Sequence, residues 1–426
     1  MKSLALLLVA GLLGFSSRPA DEVPSSRDQQ KMVEEYLTLD EWTPEGRRRR
    51  PEILKALEAV PPLKASSIKT WTKRIEKAWK KAPELEKDSG THYLYPDAKV
   101  RQARGKYVVG GETKKPKGLV IAMHGGGVGS GDAEPMAQGY DGPAKKLKLL
   151  MIAPEVLEKT ECGWTDAGTE EFVLQLIQRA IHTWKIDPNR VYLSGHSMGG
   201  YGSWTLGAHH ADWCAGLAPS AGGPTPIRDQ NGDWVDIVEG VVPNLRNVRL
   251  VIYQSADDPQ VEPFANRLAV KRLKKAEERW GGFDYEYWEV DGRGHGAPPG
   301  GYEALMDKIV DSDRNLWPQR VVWQPSLTWD NDFYWVRWDE PARNAIVSAE
   351  VAPTGNEIIV SASKGTRGLG FWLDERIVDL KEPVTVTSED KVVFEGKVEP
   401  TLAALLESAG RRDPEYLTAY AIRLDS

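Results

Sequence analysis

A serine in a glycine-flanked turn is the first residue of this sequence whose setting suggests chemistry. Ser197 is the centre of a Gly-His-Ser-Met-Gly motif at 195–199, which directly follows a short apolar stretch and precedes a helix-length segment at 201–210. A serine hydroxyl is a weak nucleophile, so a chain that uses one lifts it out at a sharp strand-to-helix turn where a histidine can reach it. The alternative is a glycine-rich loop that merely joins a strand to a helix.

A serine nucleophile needs a base and a carboxylate that orients the base. The chain has seven histidines. His295 stands between two glycines, after a predicted strand at 285–290. Asp257 and Asp258 follow a predicted strand at 248–253, and adjacent residues there point in different directions, so either carboxylate could face the histidine.

Negative charge that develops on a substrate carbonyl needs backbone N–H groups at a fixed place. The His-Gly-Gly-Gly sequence at 124–127 follows a nearly continuous apolar run at 117–123. We expect the amide of Met198 and an amide from Gly125 or Gly126 to form this oxyanion hole, because glycine lets the chain pass close to a substrate. A merely flexible turn is the alternative.

These motifs together resemble the α/β-hydrolase superfamily, and within it the secreted esterases and depolymerase-like serine hydrolases. The resemblance covers about the middle half of the chain, and the residues that carry it are 124–127, 186–200, 255–261 and 292–296. It implies a catalytic set of Ser197, Asp258 and His295, since the family's Asp-Pro-x-Val pattern matches Asp258, and Asp257 then becomes a neighbour that stabilises the loop. His124, Trp164 and Asp257 are expected at the substrate cleft, although packing explains a tryptophan such as Trp164 equally well. The loop at 222–242 is a candidate rim or lid, or a simple insertion.

Apolar periodicity divides the rest of the chain. Helical spacing at 21–90, broken by prolines at 44, 51, 61 and 62, predicts a short helical extension. Apolar strands alternate with helices over 91–312, which predicts a doubly wound, mostly parallel α/β sheet. Short strands at 316–426, with one helix at 401–409, predict an all-β, antiparallel sandwich-like domain.

Six of the 16 tryptophans lie in this last region, between Trp317 and Trp372. Rings in a row on one sheet face could stack on sugars. Trp335 and Trp338 would fall on opposite faces of a single strand at 333–338, so at least one is expected in the core. We therefore expect the region chiefly to pack against the hydrolase domain.

The first twenty residues have the layout of a secretory signal peptide: Lys2, an apolar run at 4–15, then small and polar residues. A retained anchor is the alternative, although the run is shorter than the roughly twenty residues that span a bilayer. We expect a secreted or periplasmic protein with no stable membrane span once the signal is removed.

The composition of the chain limits which partners and cofactors we expect it to bind. The chain has 426 residues, 27% of them charged, and a net charge of −7, which does not suggest nucleic acid as a partner. The arginine run at 47–50 is read as a solvated helix face, with a basic docking patch as the alternative. Two cysteines, Cys162 and Cys214, make no disulfide framework, and no metal or dinucleotide motif appears, so we expect no cofactor.

The leading hypothesis is a secreted serine hydrolase that cleaves carboxylic esters through an acyl-enzyme, with acyl groups on polysaccharide as one substrate class. One alternative is a serine peptidase of the prolyl-oligopeptidase type, disfavoured because no propeller repeats precede residue 91. Another is a non-catalytic binding protein on a hydrolase scaffold. Oligomeric state stays open.

Overall fold

A central sheet of eight strands carries the motifs of the predicted catalytic site. The computed structural model describes residues 23–41, 43–95, 102–224, 240–342 and 344–424. The predicted signal peptide at 1–20 and residues 225–239 of the candidate rim loop lie outside these ranges. Within them, no helix is both long and apolar enough to cross a bilayer.

The sheet is almost entirely parallel. Its order is β1-β2-β4-β3-β5-β6-β7-β8, and only β2 runs against its neighbours. All residues of β3 and β4 are buried, as expected of strands covered by helices on both faces. The strands are β1 (Gly90–Leu94), β2 (Gly105–Gly111), β3 (Gly118–Met123), β4 (Leu149–Pro154), β5 (Val191–His196), β6 (Gly216–Ser220), β7 (Arg249–Ser255) and β8 (Tyr285–Val290).

In the described part of the chain, four helices lie between these strands, a fifth follows the last of them, and together they cover the sheet. One of them, at 133–147, is not predicted by the sequence, because two prolines and two glycines inside it give poor helix propensity. It forms because Met136, Tyr140 and Ala144 are buried against β2, β3 and β4. The helices are α4 (Ala133–Leu147), α5 (Thr169–Trp184), α6 (Met198–His209), α7 (Phe264–Trp280) and α8 (Gly301–Met306).

Three helices precede the sheet: α1 (Ser26–Thr38), α2 (Pro44–Leu57) and α3 (Ala65–Trp79). Side-chain oxygens of Ser25 and Thr43 cap the first two, which satisfies amides that have no partner inside the helix. The expected break at Pro51 is wrong. The helix α2 continues through this proline, and buried Ile53 and Leu57 on its inner face hold it in the helical core.

The arginine run on α2 is engaged in ion pairs. Arg49 binds Glu35 at 2.5 Å, Arg50 binds Glu41, and Arg47 lies 3.5 Å from Glu171 of α5. These contacts fasten α2 to its neighbours. The side chains of Arg47 and Arg48 are nevertheless 54% and 65% exposed, as expected of a solvated helix face. Arg49 and Arg50 are more buried and paired, which gives a basic docking patch little support.

The C-terminal region consists of two sheets and one helix. One sheet has the order β10-β11-β14-β17 and the other β16-β15-β13-β12-β9. The pair β13–β15 is parallel, so the expectation of a purely antiparallel sandwich is wrong at that pair. The elements are β9 (Arg320–Trp323), β10 (Asp332–Phe333), β11 (Val336–Trp338), β12 (Val347–Val351), β13 (Glu357–Ala362), β14 (Leu369–Leu373), β15 (Val384–Ser388), β16 (Lys391–Gly396), α9 (Leu402–Ser408) and β17 (Tyr420–Arg423).

The segment 333–338 is a tight hairpin and not one strand. Phe333 pairs with Val336, and Tyr334 takes a φ of 54° in the turn between β10 and β11. The parity argument for Trp335 and Trp338 therefore does not apply. Both are in the core, 0% and 2% exposed.

The C-terminal sheets and the central sheet share one continuous hydrophobic core. At their junction Arg314 donates to the backbone oxygen of Asp212 at 3.2 Å and to the carboxylate of Asp413 at 2.7 Å. Arg411 also binds Asp212, and all of these groups are buried. Removing one member of such a buried ionic network leaves an uncompensated charge, so the junction is a poor place to separate the two regions.

Candidate active site

Four loops meet at one edge of the central sheet. They follow β3, β5, β7 and β8, and carry Gly125, Ser197, Asp258 and His295 respectively. The carboxyl ends of parallel strands lie on the same edge, which is where open α/β sheets bind ligands. Residues that are far apart in sequence are thereby brought together.

The turn at Ser197 is strained. Ser197 has φ 58° and ψ −121°, a conformation that a non-glycine residue seldom adopts, and its N–H donates to the oxygen of Ser220 on β6 at 2.9 Å. A Cβ on Gly199 would lie 2.0 Å from the oxygen of Met123, and one on Gly195 would lie 2.4 Å from the oxygen of Gly199. The two glycines therefore permit the close approach that holds the serine out of the strand.

A chain of hydrogen bonds joins three of the predicted site residues. Nε2 of His295 lies 2.9 Å from Oγ of Ser197, and Nδ1 of His295 lies 2.8 Å from Oδ2 of Asp258. The carboxylate can only accept, so Nδ1 carries a proton and Nε2 of the neutral ring is left to accept from the serine. Backbone amides of Gln260 and Val261 donate to the other oxygen of buried Asp258 and fix its orientation.

Asp257 points away from the ring of His295. Its Oδ1 accepts from Oγ of Ser255 at 2.5 Å and from the backbone amides of Arg293 at 3.2 Å and Gly294 at 3.0 Å. These hydrogen bonds, that of Ser255 first, lower the pKa of this exposed carboxyl. Geometry thus separates the two aspartates, with Asp258 next to the imidazole and Asp257 on the loop that carries it.

Two of the predicted oxyanion groups, Met198 and Gly125, lie next to the serine. The helix α6 begins at Met198, whose N–H is among the first of the helix and has no partner within it. A Cβ added to Gly125 would lie 3.1 Å from Cβ of Ser197. Gly126 has φ 155°, and a Cβ there would lie 2.5 Å from the oxygen of Ser130. The roles of these three amides stay a prediction that this placement allows.

His124 and Trp164 do not line an open cleft. They are 1% and 2% exposed, which corrects the expectation for both. Nε1 of Trp164 donates to the oxygen of His124 at 3.1 Å, and the amide of Val156 donates to Nε2 of His124 at 3.2 Å. Burial lowers the pKa of His124 and keeps the ring neutral. The two side chains support the glycine loop from beneath.

His196 is a residue of the site to which the sequence analysis assigned no role. Its Nδ1 lies 2.9 Å from Oγ of Ser220 on β6, and its Nε2 lies 3.1 Å from the backbone oxygen of His295. The two imidazole rings are 4.9 Å apart. Its place directly before Ser197 was the only signal that it would lie in the site.

No metal centre is visible in the described ranges, where no group of three or more His, Cys, Asp or Glu side chains could hold an ion. Cys162 is exposed and Cys214 is buried, and both are free thiols.

The strand order, the strained serine turn and the converging loops define the fold of an α/β-hydrolase. No family model matches the chain. It is 28% identical over 249 residues to the candidate esterase NocK of Nocardia uniformis subsp. tsuyamanensis, covering 54% of this chain and 69% of that protein. It is 24% identical over 229 residues to poly(3-hydroxyalkanoate) depolymerase C of Paucimonas lemoignei, covering 42% of this chain and 55% of that protein. A thermostable esterase structure aligns at 19% identity and a TM-score of 0.40, covering 53% of this chain and 64% of the other.

Proposed function

We propose that this protein is a secreted serine hydrolase that cleaves carboxylic esters. The observation that carries the proposal is the chain of hydrogen bonds from Ser197 through His295 to Asp258, with distances of 2.9 Å and 2.8 Å. Such a chain activates a hydroxyl that is otherwise a weak nucleophile. The names of the two relatives, an esterase and a polyester depolymerase, favour an ester as the bond that is attacked.

In the proposed mechanism, Oγ of Ser197 attacks the ester carbonyl while its proton passes to Nε2 of His295. Asp258 holds the imidazole in the right tautomer and stabilises the imidazolium that forms. The tetrahedral intermediate collapses to an acyl-serine, and the imidazolium gives its proton to the leaving alcohol. Water, activated by the same histidine, then hydrolyses the acyl-enzyme and releases the acid.

We assign the stabilisation of the negative charge on the tetrahedral oxygen to the N–H of Met198 and to the N–H of Gly125 or Gly126. Each fixed donor of this kind lowers the barrier by roughly 3 kcal/mol, because it is oriented before the charge develops. His124 and Trp164 contribute indirectly, since they support the glycine loop from below. No metal or cofactor is needed for this sequence of steps.

We propose acyl groups on polysaccharide as one natural substrate class and polyester as the competing class suggested by the depolymerase relative. The tryptophans of the C-terminal region give the sugar hypothesis little support, since five of the six between Trp317 and Trp372 are buried. A polymer would have to be held by the cleft itself. Export rests on the signal-like sequence at 1–20.

Purified protein tested on a panel of substrates decides the reaction class. We expect turnover of short-chain nitrophenyl esters, and we would compare acetylated xylan, feruloyl esters and poly(3-hydroxybutyrate) to find the acyl and alcohol groups. Faster cleavage of peptide anilides than of any ester would assign the protein to the peptidases. No turnover of any substrate, with no labelling of Ser197 by a serine-directed phosphonate, would favour a binding protein on a hydrolase scaffold.

A further inference from the structure

The loop that carries His295 has little in its own sequence to hold it rigid. It spans 292–296, and Gly292 and Gly294 take φ values of 74° and 52° that other residues rarely adopt. Its first two residues are exposed. One turn-type hydrogen bond, from Gly296 N to the oxygen of Arg293, closes it from within, and the exposed Arg293 side chain donates to the oxygen of Ala297 just beyond it. A base on such a loop needs outside contacts to stay within reach of Ser197.

The first of these outside contacts comes from residues at the end of strand β7. A single oxygen of Asp257 accepts from the backbone amides of Arg293 and Gly294 and from Oγ of Ser255, which itself also accepts from Arg293 N at 3.2 Å. The carboxylate therefore ties the first half of the loop to the end of β7. Its neighbour Asp258 binds the imidazole from the same short segment.

The second contact comes from the nucleophile turn. Nε2 of His196 lies 3.1 Å from the backbone oxygen of His295, and a carbonyl can only accept, so Nε2 carries the proton. In the neutral ring Nδ1 is then the acceptor, and Oγ of Ser220 donates to it. Burial, and secondarily His295, lower the pKa of His196 and so favour the neutral ring, whose tautomer the two hydrogen bonds then fix.

We infer that Asp257 and His196 are positioning residues that clamp the His295 loop at two separate points. Neither side chain touches Oγ of Ser197. Asp257 fixes the amides that precede the base, and His196 fixes the carbonyl of the base itself. The inference rests on the proposed function for its consequence in turnover, but the clamp itself is a property of the folded loop.

Loss of either contact allows His295 to drift from Ser197, and a displacement of about 1 Å can lower a rate roughly 100-fold. Because the hydrogen bonds of both side chains go to protein atoms, we expect kcat to fall and KM to stay close to that of the unaltered protein. A residue of the substrate cleft would instead change KM. This split distinguishes the clamp from the original expectation that Asp257 lines the cleft.

The experiment compares two pairs of variants. Asp257→Ala and His196→Phe remove the acceptor and the donor, whereas Asp257→Asn and His196→Gln keep a carbonyl oxygen and an N–H at nearly the same places. We expect a fall in kcat of about 10- to 100-fold for the first pair and recovery of most of it in the second. Asp291→Ala, at an exposed carboxylate beside the same loop, is the matched control and should leave kcat unchanged.

Amide hydrogen exchange of residues 293–295 gives a readout that does not need turnover. Exchange should be faster in Asp257→Ala and His196→Phe than in the unaltered protein, with the rest of the chain unaffected. Unchanged exchange and unchanged kcat in both variants would overturn the clamp. If the unaltered protein hydrolyses nothing, yet both variants speed exchange of the loop, the proposed function fails and the clamp stands.

Discussion

Gly125 and Ser197 are in contact distance across the ends of two adjacent parallel strands, β3 and β5. A Cβ placed on Gly125 would lie 3.1 Å from Cβ of Ser197 and 3.8 Å from its Oγ. The glycine loop therefore passes so close to the Ser197 side chain that an added methyl group would force one of the two to shift by a few tenths of an ångström. We predict that Gly125→Ala lowers kcat on a nitrophenyl ester about 100-fold, because the loop must retreat and take its amide away from the oxyanion.

The matched control for this prediction is Gly127→Ala, two residues further along the same loop. A Cβ there meets no atom within 4 Å, so the variant should keep its activity. Equal activity of the two variants would mean that the loop does not supply an oxyanion donor.

Ser197→Ala should remove nearly all ester hydrolysis, by at least about 10⁴-fold, while the protein stays folded, because the change deletes one hydroxyl at a turn. Steady-state rates and labelling by a serine-directed phosphonate measure the loss, and circular dichroism checks the fold. Substantial remaining turnover, with labelling like that of the unaltered protein, would exclude Ser197 as the nucleophile.

Replacement of the two adjacent aspartates should have very different results. Asp258→Asn should lower kcat by up to about 10⁴-fold, because an amide in that place favours the wrong tautomer of His295. Asp257→Asn keeps an acceptor for the loop amides and should cost little. The reverse ranking would move the orienting role to Asp257, and mild losses in both would mean that neither residue holds the base.

The candidate catalytic residues could be predicted from the sequence more fully than the residues around them could. Ser197 and Asp258 each follow a buried apolar strand, and His295 follows the half-buried strand β8, so their approach in space follows from the topology of parallel strands. The burial of His124 and Trp164 could not be read in the same way. A histidine beside a glycine loop suits a cleft or a support equally well, and only the contacts with Val156 and between the two residues decide.

The elements of the fold were likewise predicted only in part. Continuous apolar runs predicted the inner strands, but α4 was missed because its burial on the sheet overrides two prolines and two glycines. The hairpin at 333–338 was missed because Tyr334, and not a glycine, takes the positive φ of the turn. Contacts between elements decide both cases, and the local residue types do not reveal those contacts.

A buried acid with two histidine partners predicts how stability depends on pH. Glu170 lies 3.0 Å from Nδ1 of His209 and from Nε2 of His210. Burial alone would raise the pKa of Glu170, but the two histidines outweigh it and lower the pKa to about 2. A depressed pKa contributes stability above the unfolded value of about 4.3, and this contribution is lost as the pH falls towards 2.

We therefore expect Glu170→Gln to lower the free energy of unfolding by about 3 kcal/mol at pH 6. At that pH His210 is charged, because its acidic partners raise its pKa to about 10 although burial opposes this. The difference from the unaltered protein should shrink below about pH 4. Urea unfolding over this range measures it. Glu52→Gln, at an exposed pair with Arg48, is the control and should change little. A constant difference from pH 6 to pH 2 would contradict the assignment.

A chain that ends at residue 313 tests the role of the C-terminal sheets. We expect it to be insoluble, or folded without a cooperative transition and inactive on small and polymeric esters alike, because the shared core would be opened. Solubility, thermal unfolding and rates on both substrate types measure this. Full activity on small esters with loss only on acetylated polymer would make the region a binding module.

The N-terminal helices pack on an element from the far end of the chain. Leu57 of α2 and Ile75 of α3 belong to the same core as Leu402 and Leu405 of α9. The helices α1 to α3 bury part of their apolar faces on one another, but they cannot complete this core until α9 has been made. Because the strands β9 to β16 precede α9 in the chain, synthesis of nearly all of the C-terminal sheets comes before the N-terminal core can close.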